Sequence, residues 1–436
     1  MLNGLFVAAI LLSVISASIT GRMQNLTGSV LSTANSAVEL AIGLVGVMAF
    51  FLGLMRVAAD AGLMAALARR VAPLMRALFP SIPSNSPALS AMLLNISANM
   101  MGLANAATPF GIKAMEELDK HNDKPGTATN EMVLFLAINT AGLAMLPTGI
   151  IGIRAALGSA DASGIILTTW FASTCATIVG ISAAFLFSRL PIFRATPQNS
   201  PPQKSSPNET KETSASVPDQ MNELLSPSPF RKLLGLIFWI VLFGFLIIGI
   251  LNRLENETVG DIFRSMTSFW LLPIIISGLI LYGWTRRVPV YDSFIEGAKE
   301  GFQVALRIIP YLVAILVAIG MFRASGSLSM LIGFLEPLTS SIGMPPEALP
   351  MALLRPLSGS GALGVASEAM TTYGPDSLVG YMVSTYQGST ETTFYVLAVY
   401  FGAVGIKNSR HALPACLLAD ITGILAATFI VNIIFG

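Results

Sequence analysis

Charge is what this chain has least of. Only 11% of its 436 residues are Asp, Glu, Lys or Arg, against roughly a quarter in ordinary soluble domains, while 53% are hydrophobic. With mean hydropathy at +0.71, a water-facing globular surface is excluded. A net charge of +1 leaves no basic face for nucleic acid. There are two histidines, His121 and His411, remote from each other in polar or boundary positions, and they do not make a metal cage. The two cysteines, Cys175 and Cys416, lie in apolar runs and read as packing residues rather than redox groups or ligands. HExxH, GxSxG and GxxxxGK[ST] are all missing, so the reading is of a protein that is not an enzyme and carries no cofactor.

What remains is a long series of apolar segments, read as an all-α polytopic membrane protein. Stretches long enough to cross, about 20 residues each, fall near 2–20, 34–54, 163–187, 233–251, 268–284, 309–321 and 414–435. Residues 2–20 lack a basic start and read as a first membrane helix rather than a cleaved signal. Between these spans, residues 87–112, 131–153, 346–370 and 378–406 are apolar but punctuated by Gly, Pro and amides. They read as broken or re-entrant helices. An amphipathic stretch at 63–78, with Arg69, Arg70 and Arg76, is expected along the cytoplasmic interface, where it could also support a homo-oligomer contact.

Residues 195–229, rich in Pro, Ser, Thr and charge, have almost nothing to bury and read as a disordered linker. They divide the chain into membrane halves at 1–194 and 230–436. Basic residues flank the linker and close the spans near Arg69 and Arg286. This predicts a cytoplasmic linker in a bacterial inner membrane, an outside position for 252–263, and halves entering the membrane in the same sense. The halves also echo each other. Leu93-Leu94-Asn95 matches Leu353-Leu354-Arg355 at a spacing of 260, and Asn139-Thr140 matches Gln387-Gly388 at 248. A duplication with interrupted segments in corresponding places points to a transporter's binding site.

Two stretches dense in hydrogen-bonding groups occupy those interrupted segments. In the first, Asn95, Ser97, Asn99, Asn105 and Thr108 lie in one broken helix, with Asn95 and Asn99 four apart on one face, and Asn139 follows. In the second, Gln387 and Glu391 are four apart among Ser389, Thr390, Thr392 and Thr393. Arg355 begins Arg-Pro-Leu-Ser358-Gly-Ser360-Gly, whose irregular backbone could meet an anion. A carboxyl at membrane depth must be paired, protonated or solvated, so Arg355, Glu391 and Asp420 are a candidate charge pair or coupling group. Single amides can equally hold helices together. These residues are the expected substrate contacts, with Na+ held by hydroxyl and carbonyl oxygens, or H+ on Glu391, as possible coupling ions.

The stretch Asn95–Asn122, with its GLANAATPFGIKAMEELDKHN, resembles the spore maturation protein A family. Residues Arg355–Ala427, with RPLSGSGALGV and the run from Gly374 to Asp420, are similar to spore maturation protein B. The chain looks like the two fused at the linker. Both families resemble the wider group of nucleoside-recognition, or gate, domains, which also occur in concentrative nucleoside transporters and ferrous-iron permeases. That resemblance implies two repeated gate-type halves and a permease for a small polar solute, nucleoside-like or a small organic anion. A non-transporting envelope or spore-maturation scaffold and a divalent-metal permease are the alternatives.

Overall fold

The computed structural model describes residues 2–84, 86–193, 229–254, 262 and 265–436; of the stretch read as a linker, residues 195–228 lie outside them, as do most of 252–263. Among the described residues every regular element is a helix, and a lone β-bridge joins Thr127 to Asn408. The helices are α1 (Leu2–Thr20), α2 (Met23–Asp60), α3 (Leu63–Leu78), α4 (Pro87–Met100), α5 (Ala104–Asp119), α6 (Asn130–Thr140), α7 (Thr148–Ala156) and α8 (Ile165–Ser188). From residue 229 on come α9 (Pro229–Leu254), α10 (Leu271–Thr285), α11 (Val290–Ala324), α12 (Ser327–Ser340), α13 (Leu349–Leu354), α14 (Gly359–Tyr373), α15 (Leu378–Ser389), α16 (Thr393–Ala403) and α17 (Ala412–Phe435).

Four of these, α2, α8, α9 and α17, are long and apolar enough to cross a bilayer. On α9, Phe238, Ile240, Val241, Phe243 and Phe245 all face outward, which water would penalise and lipid does not. By contrast α4, at 14 residues, reaches only about 21 Å, short of a hydrocarbon core about 30 Å thick. It turns back into α5 through Gly102, whose φ is +74°. This is the hairpin the punctuated sequence calls for. The pattern in α3 works as read: Ala65, Ala68, Ala72 and Met75 are buried on one stripe, while Arg69 and Arg70 are exposed.

The repeat is complete at the level of elements. The series α2 to α8 (long helix, amphipathic helix, hairpin, two half-helices, spanning helix) recurs as α11 to α17. Both amphipathic helices start after a left-handed glycine, Gly62 or Gly326. Both carry an internal proline, Pro73 or Pro337, at the same spacing of 264. The half-helices α6 and α15 are capped by Thr129 and Ser377, whose hydroxyls accept from Met132 N and Gly380 N. Those caps are 248 apart, the spacing that relates Asn139 to Gln387.

The halves are inverted, and this corrects the expectation that they enter in the same sense. Gly53 abuts Phe294, Gly301 abuts Ala49, and Gly320 abuts Thr33, so α2 and α11 run antiparallel. Phe171 meets Phe429 and Gly180 meets Ala419, so α8 and α17 do too. The expectation failed because α9 and α10 precede the second repeat. Its first helix is α11, which leaves from the same basic end at which α2 arrives, as the Arg56–Glu300 ion pair at 3.2 Å records. Close approach of α2 and α11 needs glycine: a Cβ on Gly297 would sit 2.5 Å from Leu52 O, and one on Gly301 2.6 Å from Met48 O. The two larger cores are shared between halves, one joining α2 and α7 to α11, α14, α15 and α17, the other joining α3 through α6 with α16.

Candidate functional site

The site begins where two helices stop. In the first half the chain leaves α6 at Thr140, turns at Gly142 with φ +57°, and resumes as α7 after Pro147. In the second half α15 ends at Ser389, Thr390 to Thr392 are extended, and α16 begins at Thr393. The two breaks lie against each other. Glu391 N donates to Thr140 O at 2.8 Å, so the orphan carbonyl of one half-helix is satisfied by the interrupted backbone of the other.

Charge is placed to suit those ends. Arg355, 3% exposed, donates through Nη2 to Thr390 O and through Nη1 to Thr392 Oγ1 at 3.3 Å. It sets a cation at the negative end of α15. Glu391 precedes the N-terminus of α16, where a carboxylate is favoured, and one of its oxygens lies 3.8 Å from Arg355 Nη2. Its side chain is 43% exposed, unlike every other charged group here. Asp420, 0% exposed, accepts from Thr393 Oγ1 at 2.6 Å through one oxygen, while the other has no partner. Gln387 Oε1, Thr390 Oγ1 and Thr169 Oγ1 are also buried without partners.

The first polar stretch spends most of its capacity inside the protein. Asn95 Nδ2 donates to Ala107 O at 2.8 Å and Tyr400 Oη at 3.0 Å, while its oxygen stays buried and unpartnered. Asn99 Nδ2 donates to Asn139 Oδ1 at 3.0 Å, and Asn139 Nδ2 donates to Phe135 O at 2.9 Å. Ser97 Oγ donates to Leu93 O in its own helix. Ser358 caps α14 by accepting from Gly361 N, and Ser389 Oγ donates to Tyr386 O. Ser360 is half-buried on the first turn of α14. Thr108 is half-buried on α5 and hydrogen-bonded or otherwise engaged. The side chain of Asn105 lies outside the described residues. Asn99 and Asn139 line a cavity of about 250 Å³ whose other walls, including Met75, Ile96 and Ile181, are almost wholly apolar.

A model of the family described as nucleoside recognition, or Gate, matches residues 41–157 and 305–407, one block in each half. The chain belongs to this Gate family. Spore maturation protein B of Bacillus subtilis is 53% identical over 169 residues, which cover 39% of this chain and 95% of that protein. Spore maturation protein A of the same organism is 35% identical over 194 residues, covering 44% of this chain and 97% of that protein. Different parts of the chain match the two, as a fusion requires. Inner membrane protein YjiG of Escherichia coli K12 is 35% identical over 86 residues, 20% of this chain and 56% of its own length.

In this Gate-family chain the structure also brings forward residues that the sequence reading passed over. Tyr400 packs against Gly111 and binds Asn95. Arg154, 0% exposed, is the centre of a second polar cluster with Asp161, Asp376 and Tyr381. A lone arginine in Ile150-Ile-Gly-Ile-Arg154 was a signal in plain view, since an ionisable group in an apolar segment calls for a partner.

Proposed function

We propose that this chain is a transporter or permease for a small polar solute, with its site where the two helix breaks meet. The observation that carries the reading is Glu391: a half-exposed carboxylate on interrupted backbone, backed by a buried arginine, between inverted repeats. Near it, Gln387, Thr390 and Asp420 keep buried oxygens without partners, hydrogen-bonding capacity that parting of the helix breaks would offer to a solute rich in N–H and O–H groups. A nucleoside has that chemistry, and the family's description names nucleosides. The small-organic-anion version has less support, because both Nη groups of Arg355 are engaged and turned inward. On this reading Glu391 is the group that couples solute movement to an ion, Na+ or H+. The linker side is cytoplasmic: α3 carries Arg69, Arg70 and Arg76, whereas its inverted counterpart α12 has no basic residue.

The test is uptake of labelled nucleosides into proteoliposomes. Glu391→Gln and Gln387→Leu should each abolish saturable uptake, and Asn99→Leu should impair it. Unchanged uptake in Gln387→Leu and Asn99→Leu together would remove the site assignment. One observation favours the scaffold reading, namely that Asn95, Asn99 and Asn139 bond within the protein. That reading predicts no saturable uptake of any solute by the unaltered chain.

A further inference from the structure

The inverted repeat places an arginine clamp between the halves at each end of the molecule. At one end Arg154, in the last turn of α7, donates to Pro375 O at 2.6 Å, Asp376 Oδ1 at 2.8 Å and Ser384 Oγ at 3.3 Å, all in the second half. Its guanidinium lies 4.4 Å from the ring centroid of Tyr381, whose hydroxyl donates to Asp161 at 3.0 Å. Ser159 Oγ and Ala160 N also donate to Asp376. At the other end Arg410, between α16 and α17, donates to Ala128 O at 3.0 Å and Asn130 Oδ1 at 2.9 Å, in the first half. Each arginine therefore grips the capping turn of the other repeat's half-helix, Ser377 of α15 or Thr129 of α6.

Distance separates the two. Tyr381 stacks on Phe435 at the C-terminus of α17, and Arg410 precedes its N-terminus. A helix of 24 residues spans about 36 Å. The helix breaks at Thr140 and Glu391 lie between the clamps. The clamps also differ in kind: the Arg154 end contains an ion pair with Asp376, which is 34% exposed, whereas the atoms that accept from Arg410, Phe193 O, Ala128 O and Asn130 Oδ1, are neutral.

We propose that these are the two gates of the site, Arg154–Asp376 closing it toward the outer face and Arg410 with Ala128 and Asn130 closing it toward the linker face. This rests on the reading of a site at the helix breaks, but not on any particular solute. A half-helix whose capping turn is released can swing from its partner, and opening one clamp while the other holds gives access from one side at a time.

The test is sided labelling of Glu391→Cys, in a Cys175→Ala and Cys416→Ala background, by a membrane-impermeant maleimide in vesicles of each orientation. Adding Asp376→Ala should raise the labelling rate from the outer face about tenfold, the factor held back by ~1.4 kcal/mol, and leave labelling from the linker face unchanged. Adding Arg410→Ala should do the reverse. Equal changes on both faces, or none, would overturn the assignment. In the native-cysteine chain, Ser159→Cys with Asp376→Cys should form a disulfide under oxidant that stops uptake until reduced; uptake that continues overturns it. If the unaltered chain takes up nothing, the transport reading fails while the sided labelling still decides the clamps.

Discussion

The backbone N–H of Glu391 donates to the carbonyl of Thr140 at 2.8 Å, and that bond joins the interrupted half-helices of the two repeats. A free carbonyl at a helix C-terminus would need water or a ligand at membrane depth. Here the partner repeat supplies the donor, and the carboxylate on the same residue is left part-exposed. Structure and proposed chemistry thus meet in one residue.

Gly142 makes the crossing possible. Its φ of +57° is costly for any side chain, by roughly 1–2 kcal/mol, and a Cβ there would lie 2.9 Å from the Thr390 carbonyl carbon and 3.1 Å from Glu391 N. Gly142→Ala should shorten the half-life of the folded protein in detergent and lower its melting temperature. Gly149→Ala, where a Cβ would meet nothing within 4 Å, is the control and should leave both unchanged.

Arg355 and Glu391 should separate stability from activity. Arg355 ties Pro-interrupted backbone to both sides of the α15–α16 break, and a lysine lacks the fork needed to reach Thr390 O and Thr392 Oγ1 together. Arg355→Lys should cost ~1.5–3 kcal/mol in reversible unfolding, the range for bonds to a charged group. Glu391→Gln keeps the backbone bond to Thr140 and loses only a long, part-exposed ion pair, worth under ~1 kcal/mol. Its stability should stay near that of the unaltered chain while uptake is lost.

Much of this was legible beforehand, for reasons that differ by residue. The all-α membrane class follows from how little charge there is to cover a surface, and the broken segments from Gly and Pro inside apolar runs. Asn139 and Gln387 aligned because their half-helices begin at equivalent caps. The inverted sense was not legible, because basic residues mark which end of a helix faces the cytoplasm but not which helix starts the second repeat. Nor could sequence separate amides used as glue from groups left open. Asn99 and Asn139 satisfy each other across 40 positions, and that pairing exists only in three dimensions.

His411 predicts a pH response at the linker-side clamp. Burial, with the adjacent Arg410 guanidinium, holds its imidazole down at about 4, against roughly 6.5 when unfolded. Between those values the unfolded chain binds the extra proton, so stability rises with pH across this window and is lost as pH falls through it. Hydrogen exchange at residues 126–130 and 407–411 should therefore accelerate from pH 6.5 toward pH 4, after correction for the intrinsic rate. His411→Gln should flatten that dependence while leaving exchange at residues 154–161 unaltered.

Inversion itself can be tested with two exposed positions. Lys299 lies in the first turns of α11, beside Glu300, which pairs with Arg56 near the end of α2. Glu336 lies on α12, which follows the opposite end of α11 after Gly326. Because α11 is 35 residues long, about 52 Å of helix separates its ends, more than a bilayer's hydrocarbon thickness. Cysteines at the two positions should react with an impermeant maleimide from opposite faces, Lys299→Cys from the cytoplasm and Glu336→Cys from outside. Arg69→Cys, on α3, should react from the same face as Lys299→Cys, since α3 follows the end of α2 that meets the start of α11. Had the repeats been parallel, the equivalent helices α3 and α12 would lie on one face, and Arg69→Cys and Glu336→Cys would label together. Labelling of that pair from a single side would dismantle the inverted arrangement, and with it the opposed clamps.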